Sequence, residues 1–385
     1  MRQLYRYAVF FSRTLALSSG SFTQSLLHAL YERHYPARKR KAGGEINILV
    51  VQLGQIGDFV LSAPLFEALK STYGKRLRLT VMTDSINKDL AGMDMNIDKT
   101  VFYDSPRYSR VKGGGSVFPY ERLKEGRFDE VIWLRGDMKV FIWMASRRVP
   151  MKSIMKFPNP LRSSWLALIT GRPSKKKAMH YLETLDEVCK DASPSGLFRA
   201  KASNAPAAGM REVMIHIGSG NALRRWPEER FSKLCSLLAG LSPDISVSLI
   251  GSKEDRQAGE RIATGAAANG AQGVSNLCGA FMLTDLYERF RAASLYIGFD
   301  SGPMHMAASA GAPLIALMGP QSPQVFGPRG QNVKVIHKGF PCSPCWQFGC
   351  VRNDNGAGAC VLAITPEEVF REARAFLEGS ASYAH

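Results

Sequence analysis

The chain has 385 residues, 45% of them hydrophobic and 22% charged. That is the make-up of an ordinary globular protein with room for about two domains, and it sets aside fibrous and wholly disordered classes. Its 50 lysines and arginines against 33 acids give +17 at neutral pH, which points to an anionic partner: nucleic acid, an anionic membrane surface or a phosphorylated substrate. Two stretches carry nearly all of the excess. Residues 1–45 hold eight basic residues against Glu32 and Glu45, and residues 138–182 hold ten with no acid. The first stretch opens basic, but Arg13 interrupts any signal-peptide core and no run is apolar enough to span a bilayer. On a helix Leu4, Ala8, Phe11 and Leu15 share one face; followed by ARKRK, that face suits an anionic bilayer surface, with a frayed leader as the competing reading.

From residue 46 the chain alternates between apolar runs and helical spacing. INILVVQL (46–53) reads as a buried strand followed by a helix through APLFEALKSTYG; RLRLTVMT and FDEVIWLRG (128–136) read as further strands. Over 191–209 all periodicity is lost among Ala, Ser, Pro and Gly, which marks a domain boundary. The pattern then restarts with EVMIHIG, a helix from Pro227, ISVSLIG, a helix through Arg261, LYIGFD, another helix and PLIALMG. Buried strands alternating with helices predict two doubly wound parallel sheets, with the chemistry in the cleft that separates them. The expected division is a basic extension over 1–45, a first Rossmann-like domain over 46–200 and a second over 201–385.

Three strand-to-helix junctions stand out. In QLGQIGDFVLSAP, Gly54 and Gly57 loosen the turn and Asp58 sits where a helix begins; Asp there is either an N-cap or a functional carboxylate. The spacing fits neither a dinucleotide fingerprint nor a P-loop. In HIGSGNALRRWPEERF, small residues Gly218–Asn221 would let backbone N–H groups approach an anion that Arg224 and Arg225 neutralise. In FDSGPMHMAASAGAP, a buried strand ends in Asp300, Ser301 and Gly302 and turns at once into a helix carrying His305. Gly302 would allow close backbone approach to an anion at the helix start. Cys342, Cys345, Cys350 and Cys360 form C-x2-C-x4-C-x9-C, open to three readings: a structural zinc site, two disulfides or a reduced loop.

Taken together, these stretches resemble the heptosyltransferases of glycosyltransferase family nine, from about residue 46 onward. The resemblance rests on ILVVQLGQIGDFVLSAPLFEALK, FDEVIWLRGDMK, IHIGSGNALRRWPEERFSKL, the long block from NLCGAF through FDSGPMHMAASAGAPLIALMGPQSP, and the closing PCSPC to CVLAITPEEV. It implies a GT-B fold, with two Rossmann-like domains facing across a cleft, the first for the acceptor and the second for the nucleotide sugar. It also implies inverting transfer of a heptose from ADP-heptose onto the lipopolysaccharide core. Matched residue by residue, Asp58 falls on the general base; Ser219, Gly220, Asn221 and Arg224 fall on one donor turn, and Asp300, Ser301, Gly302 and His305 on the other. Arg224 stands where the family commonly has lysine, which keeps the charge and changes its geometry.

An Asp-x-Asp pair is absent from the chain, so the expectation is metal-independent stabilisation of the diphosphate and no required cofactor. The second basic stretch, with Lys152, Lys156, Arg162, Lys175, Lys176 and Lys177, is then expected to meet an anionic, lipid-linked saccharide acceptor. That places the protein in the cytoplasm, peripheral on the inner face of the membrane. Trp133, Trp143 and Trp165 lie in or beside the same region, which gives nucleic acid a foothold on charge, but no nucleic-acid-binding motif accompanies them. The alternatives carried forward are a GT-B enzyme with another nucleotide sugar and a sugar-nucleotide epimerase on the same scaffold.

Overall fold

The computed structural model describes residues 44–106, 109, 117–124, 127–153, 210–340, 342–343, 350, 353–354 and 357–379. The expected membrane-surface segment, Lys156, Arg162, Lys175, Lys176, Lys177 and Cys345 lie outside them, as does the side chain of Lys152. Contacts divide the chain into two compact units. The second takes in Pro194–His385 together with Ile56–Ala63 and Gly92–Met95, two short segments that a division at residue 200 does not foresee.

The first unit is built on five parallel strands: β1 (Ile46–Gln52), β2 (Leu77–Thr83), β3 (Lys99–Phe102), β4 (Glu130–Arg135) and β5 (Met151–Ser153), in the order β3-β2-β1-β4-β5. A parallel sheet is covered on both faces, which is why β1 and β4 read as unbroken apolar runs and are buried nearly throughout. The carboxyl end of β1 is fixed by polar side chains held indoors. Gln52 accepts the Gly54 N–H at 3.1 Å, and Asn87 donates to the Gly54 carbonyl at 3.1 Å and to the Thr83 hydroxyl at 3.0 Å. Asp137 caps the helix Met138–Arg147 through Lys139 and Val140, and its other oxygen receives the Tyr103 and Ser105 hydroxyls. Removing that carboxylate would strip both the cap and the partners of two buried hydroxyls.

Six parallel strands make the second sheet: β6 (Arg211–His216), β7 (Ile245–Ile250), β8 (Val274–Asn276), β9 (Leu295–Phe299), β10 (Leu314–Met318) and β11 (Val333–His337). Their order is β11-β10-β9-β6-β7-β8, which is the full dinucleotide-fold order with β6 and β9 as the central pair. A further two-residue pair, β12 (Asn353–Asp354) and β13 (Ala357–Gly358), is antiparallel. β9 is buried end to end and β6 from Glu212 onward, and Trp226, Phe231 and Phe299 interlock edge-to-face in the core, with centroids 5.6 to 6.1 Å apart. Near the amino end of β6, Glu212 is buried against the Arg289 guanidinium, bonded through both its Nε and Nη2. Among the described residues no helix is long and apolar enough to cross a membrane.

Candidate functional site

In an open parallel sheet the crevice forms at the carboxyl ends of the strands where the order reverses, and here that point lies between β6 and β9. The two turns that leave those strands are Gly218–Asn221 and Asp300–Gly302. Both are turns of small residues in the sequence, and the fold makes them neighbours.

Arg224 ties the two together. Its Nη1 donates to the Asp300 carbonyl at 2.8 Å and pairs with the Asp300 carboxylate at 2.9 Å, with 22% and 12% of the two side chains exposed. Asp300 is buried, and burial raises its pKa above the ordinary carboxylate value; Arg224 pulls it back down and the Asp58 carboxylate pushes it up. His305, also buried, brings Nε2 to 3.9 Å from the second Asp300 oxygen. Asp300 thus orders its turn from two sides.

The helix Gly302–Ser309 begins directly after that turn with Pro303 in its first turn, so its N-terminal dipole faces the same region. The gap left by the missing Cβ of Gly302 is filled from within the second unit. A Cβ there would come within 2.8 Å of Ile56 Cβ and 2.9 Å of its Cγ2. Gly57 likewise has no room for a side chain, because the His305 ring lies 2.9 Å from where its Cβ would be. The glycine therefore serves the seating of the Ile56–Ala63 segment, a use that the sequence alone does not announce. Asp58 belongs to that segment. It is the third residue of the helix Ile56–Tyr73, in the first turn and not at the N-cap, and it is half-buried.

Ser301 and Asn221, both partly exposed, bond to groups of their own turns and strand exits. The Ser301 hydroxyl donates to the Phe299 carbonyl at 3.0 Å and lies 3.3 Å from His216 Nδ1. Asn221 Oδ1 accepts the Leu223 N–H at 2.9 Å and so caps the short turn Ala222–Arg224, while its own N–H reaches the Ser219 hydroxyl at 3.3 Å. Pro227 is the N-cap of the helix Glu228–Ala239, one position earlier than expected. The Trp226 indole N–H donates to the Val361 carbonyl at 3.2 Å, which anchors the arginine turn to the core.

Two side chains, His216 and Asp255, gain a place here that the spacing of the sequence does not give them. His216 ends β6, and burial pushes its pKa down to about 4, so the ring is neutral at physiological pH. Asp255 follows β7, and Arg225 reaches it. Nothing in the spacing announces these contacts, because they depend on β7 lying beside β6.

Cys342, Cys350 and Cys360 line a small cavity with Leu223, Pro320, Ser343, Gly358 and Ala359, and none of the three is in a disulfide. Among the described residues no three metal-binding side chains converge; Cys345, the fourth cysteine of the pattern, lies outside them.

Sequence comparison with known proteins points to one family. The profile of glycosyltransferase family 9 (heptosyltransferase) matches residues 120–354. Lipooligosaccharide heptosyltransferase 2 of Haemophilus influenzae is 33% identical over 113 residues, 29% of this chain and 32% of that protein. The match to that relative spans about a third of its length. Its counterpart in Haemophilus ducreyi is 25% identical over 321 residues, 76% of this chain and 88% of that protein. The solved structure of the Escherichia coli ADP-heptose lps heptosyltransferase II superposes with a TM-score of 0.62 at 20% identity, covering 87% of this chain and 99% of that one. Two parallel-sheet α/β units together with that likeness give this chain the GT-B fold.

Proposed function

Because the chain belongs to glycosyltransferase family 9, the heptosyltransferase family, we propose that it moves a heptose from ADP-heptose onto the core saccharide of lipopolysaccharide. The observation that carries this reading is the joining of the β6 and β9 turns by Arg224 and Asp300 at the switch point of the second sheet, with Asp58 close enough to act on Asp300.

In the proposed step an acceptor hydroxyl attacks the anomeric carbon while the bond from that carbon to the diphosphate oxygen breaks. The proton passes to the Asp58 carboxylate, and the bonding electron pair leaves with ADP. A single displacement of this kind inverts the anomeric centre. Charge that grows on the leaving diphosphate falls beside the Gly302 helix start, the Ser219–Gly220 turn and the Arg224 guanidinium, all fixed before the reaction begins. Asp300 is a positioning residue in this scheme: it holds Arg224 and the turn instead of taking the proton.

The cationic stretch that includes Lys152, Lys156, Arg162 and Lys175–Lys177 is read as the acceptor side, drawing an anionic lipid-linked saccharide at the inner membrane surface. The test is Asp58→Asn. It should keep ADP-heptose binding, seen as undiminished thermal protection, while transfer slows by roughly 10²–10⁴. Full turnover in this variant would leave Asp58 a first-turn helix residue and remove the base from the scheme.

A further inference from the structure

Arg225 reads in sequence as a second cation for the donor phosphates. Its side chain goes elsewhere. Nε and Nη2 both donate to the Ser219 carbonyl, at 2.9 and 2.6 Å, and Nη2 lies 3.3 Å from Asp255 Oδ1. Asp255 is itself fixed: its Oδ2 takes the Ser252 N–H at 2.9 Å and the Ser252 hydroxyl at 2.8 Å, and only 8% of its side chain is exposed. It is wedged between two strand exits. Gly218 after β6 and Gly251 after β7 both lie so close that a Cβ on either would collide with the carboxylate side chain. Arg225 therefore closes a link from the β7 exit through Asp255 to the backbone of the β6 exit.

A trans peptide is planar, and its carbonyl and its N–H point in opposite directions. The carbonyl that Arg225 grips belongs to the peptide whose N–H is that of Gly220, an exposed residue next to buried Ser219. Holding the carbonyl against the guanidinium turns the Gly220 N–H the other way, and the positive charge polarises the same peptide so that this N–H becomes a better donor.

We propose that Arg225 is a positioning residue for the donor: it orients and polarises the Ser219–Gly220 peptide so that the Gly220 N–H meets the diphosphate, without touching the diphosphate itself. This rests on the reading of the β6 turn as a donor-phosphate site. It differs from a direct phosphate contact in one respect that can be measured. A phosphate ligand at position 225 would tolerate lysine, since an ammonium binds phosphate as a point charge. A two-pronged grip on a carbonyl would not, because lysine keeps the pairing with Asp255 and loses the fork.

The experiment measures ADP binding by calorimetry for the full chain, for Arg225→Lys and for Arg225→Ala, at several salt concentrations and alongside thermal melting. Arg225→Lys should melt close to the wild type and yet bind ADP about 10- to 100-fold more weakly, the range set by charge-assisted hydrogen bonds. Arg225→Ala should weaken ADP at least as much, with the salt dependence of binding as steep as in the wild type, since no charge on the diphosphate is lost. Should the alanine variant fail to fold, the lysine variant carries the test by itself. Wild-type ADP affinity in Arg225→Lys overturns the proposal, as does a shallower salt dependence in Arg225→Ala, which would make Arg225 a direct phosphate ligand. If the wild-type protein does not bind ADP, the donor reading itself falls and this inference falls with it.

Discussion

His216 is a buried imidazole whose only described side-chain neighbour for hydrogen bonding is the Ser301 hydroxyl, 3.3 Å from Nδ1. Its pKa stands at about 4 and not at the ordinary 6.5: burial lowers it, Asp255 offsets part of that, and Arg225 adds a smaller push down. The folded chain therefore keeps the ring neutral, while the unfolded chain takes up a proton below about pH 6.5. Stability from this group is complete above that pH and is lost as the pH falls towards 4, by about 3 kcal/mol in all. Asp300 acts in the opposite sense, since its raised pKa favours the protonated folded form and that contribution fades as the pH rises from 3.8. The clean observable is thus the difference between wild type and His216→Asn, whose amide keeps a nitrogen near the Nδ1 position and does not titrate. Its melting temperature should vary less between pH 4 and 6.5 than that of the wild type. Equal steepness in the two proteins would assign the acid sensitivity to carboxylates elsewhere.

At the scale of elements, the Ile56–Ala63 segment and the helix Gly302–Ser309 meet without a Cβ to spare. Gly302→Ala would place a methyl 2.8 Å from Ile56 Cβ, a branched carbon that cannot swing aside as a side-chain tip could. Overpacking of this kind costs about 1–3 kcal/mol, and relief must come from shifting the segment that carries Asp58. The expected result is a lower melting temperature together with a fall in transfer larger than the loss of ADP affinity. Equal losses in both would mean that the methyl blocks the donor directly.

The strands, the junctions and Asp58, Arg224, Asp300 and His305 were legible in the sequence, because parallel strands buried on both faces read as apolar runs broken by turn residues. The use of Gly302 by Ile56, the destination of Arg225 and the part played by Asp255 were not. Each depends on which strands are adjacent, and periodicity within one strand carries no information about the order β11-β10-β9-β6-β7-β8. Asn221 and Ser301 look from sequence like ligands for an anion. Here they also cap and brace the turns, because small polar side chains at a strand exit reach the nearest backbone group first.

For the whole molecule, the charge excess of +17 sits almost entirely in residues 1–45 and 138–182, and the remainder is close to neutral. A localised field of that kind attracts a polyanionic surface from a distance, and its reach is set by salt: about 10 Å at 0.1 M and roughly 3 Å at 1 M. If the second stretch serves the acceptor, replacing Lys175, Lys176 and Lys177 with glutamine removes three like charges from one short segment. Each basic residue near an anionic membrane contributes about 1 kcal/mol at low salt, so the triple variant should lose most of its association with vesicles of anionic lipid. The loss should shrink as salt is raised, because the wild type then forfeits the same interaction through screening. ADP affinity should stay at the wild-type value, since these lysines belong to the other stretch of chain from the donor turns. Sedimentation with vesicles of graded anionic content, at two salt concentrations, measures this directly. Association that ignores both the lysines and the salt would make the 138–182 stretch a solvated face with no part in acceptor capture.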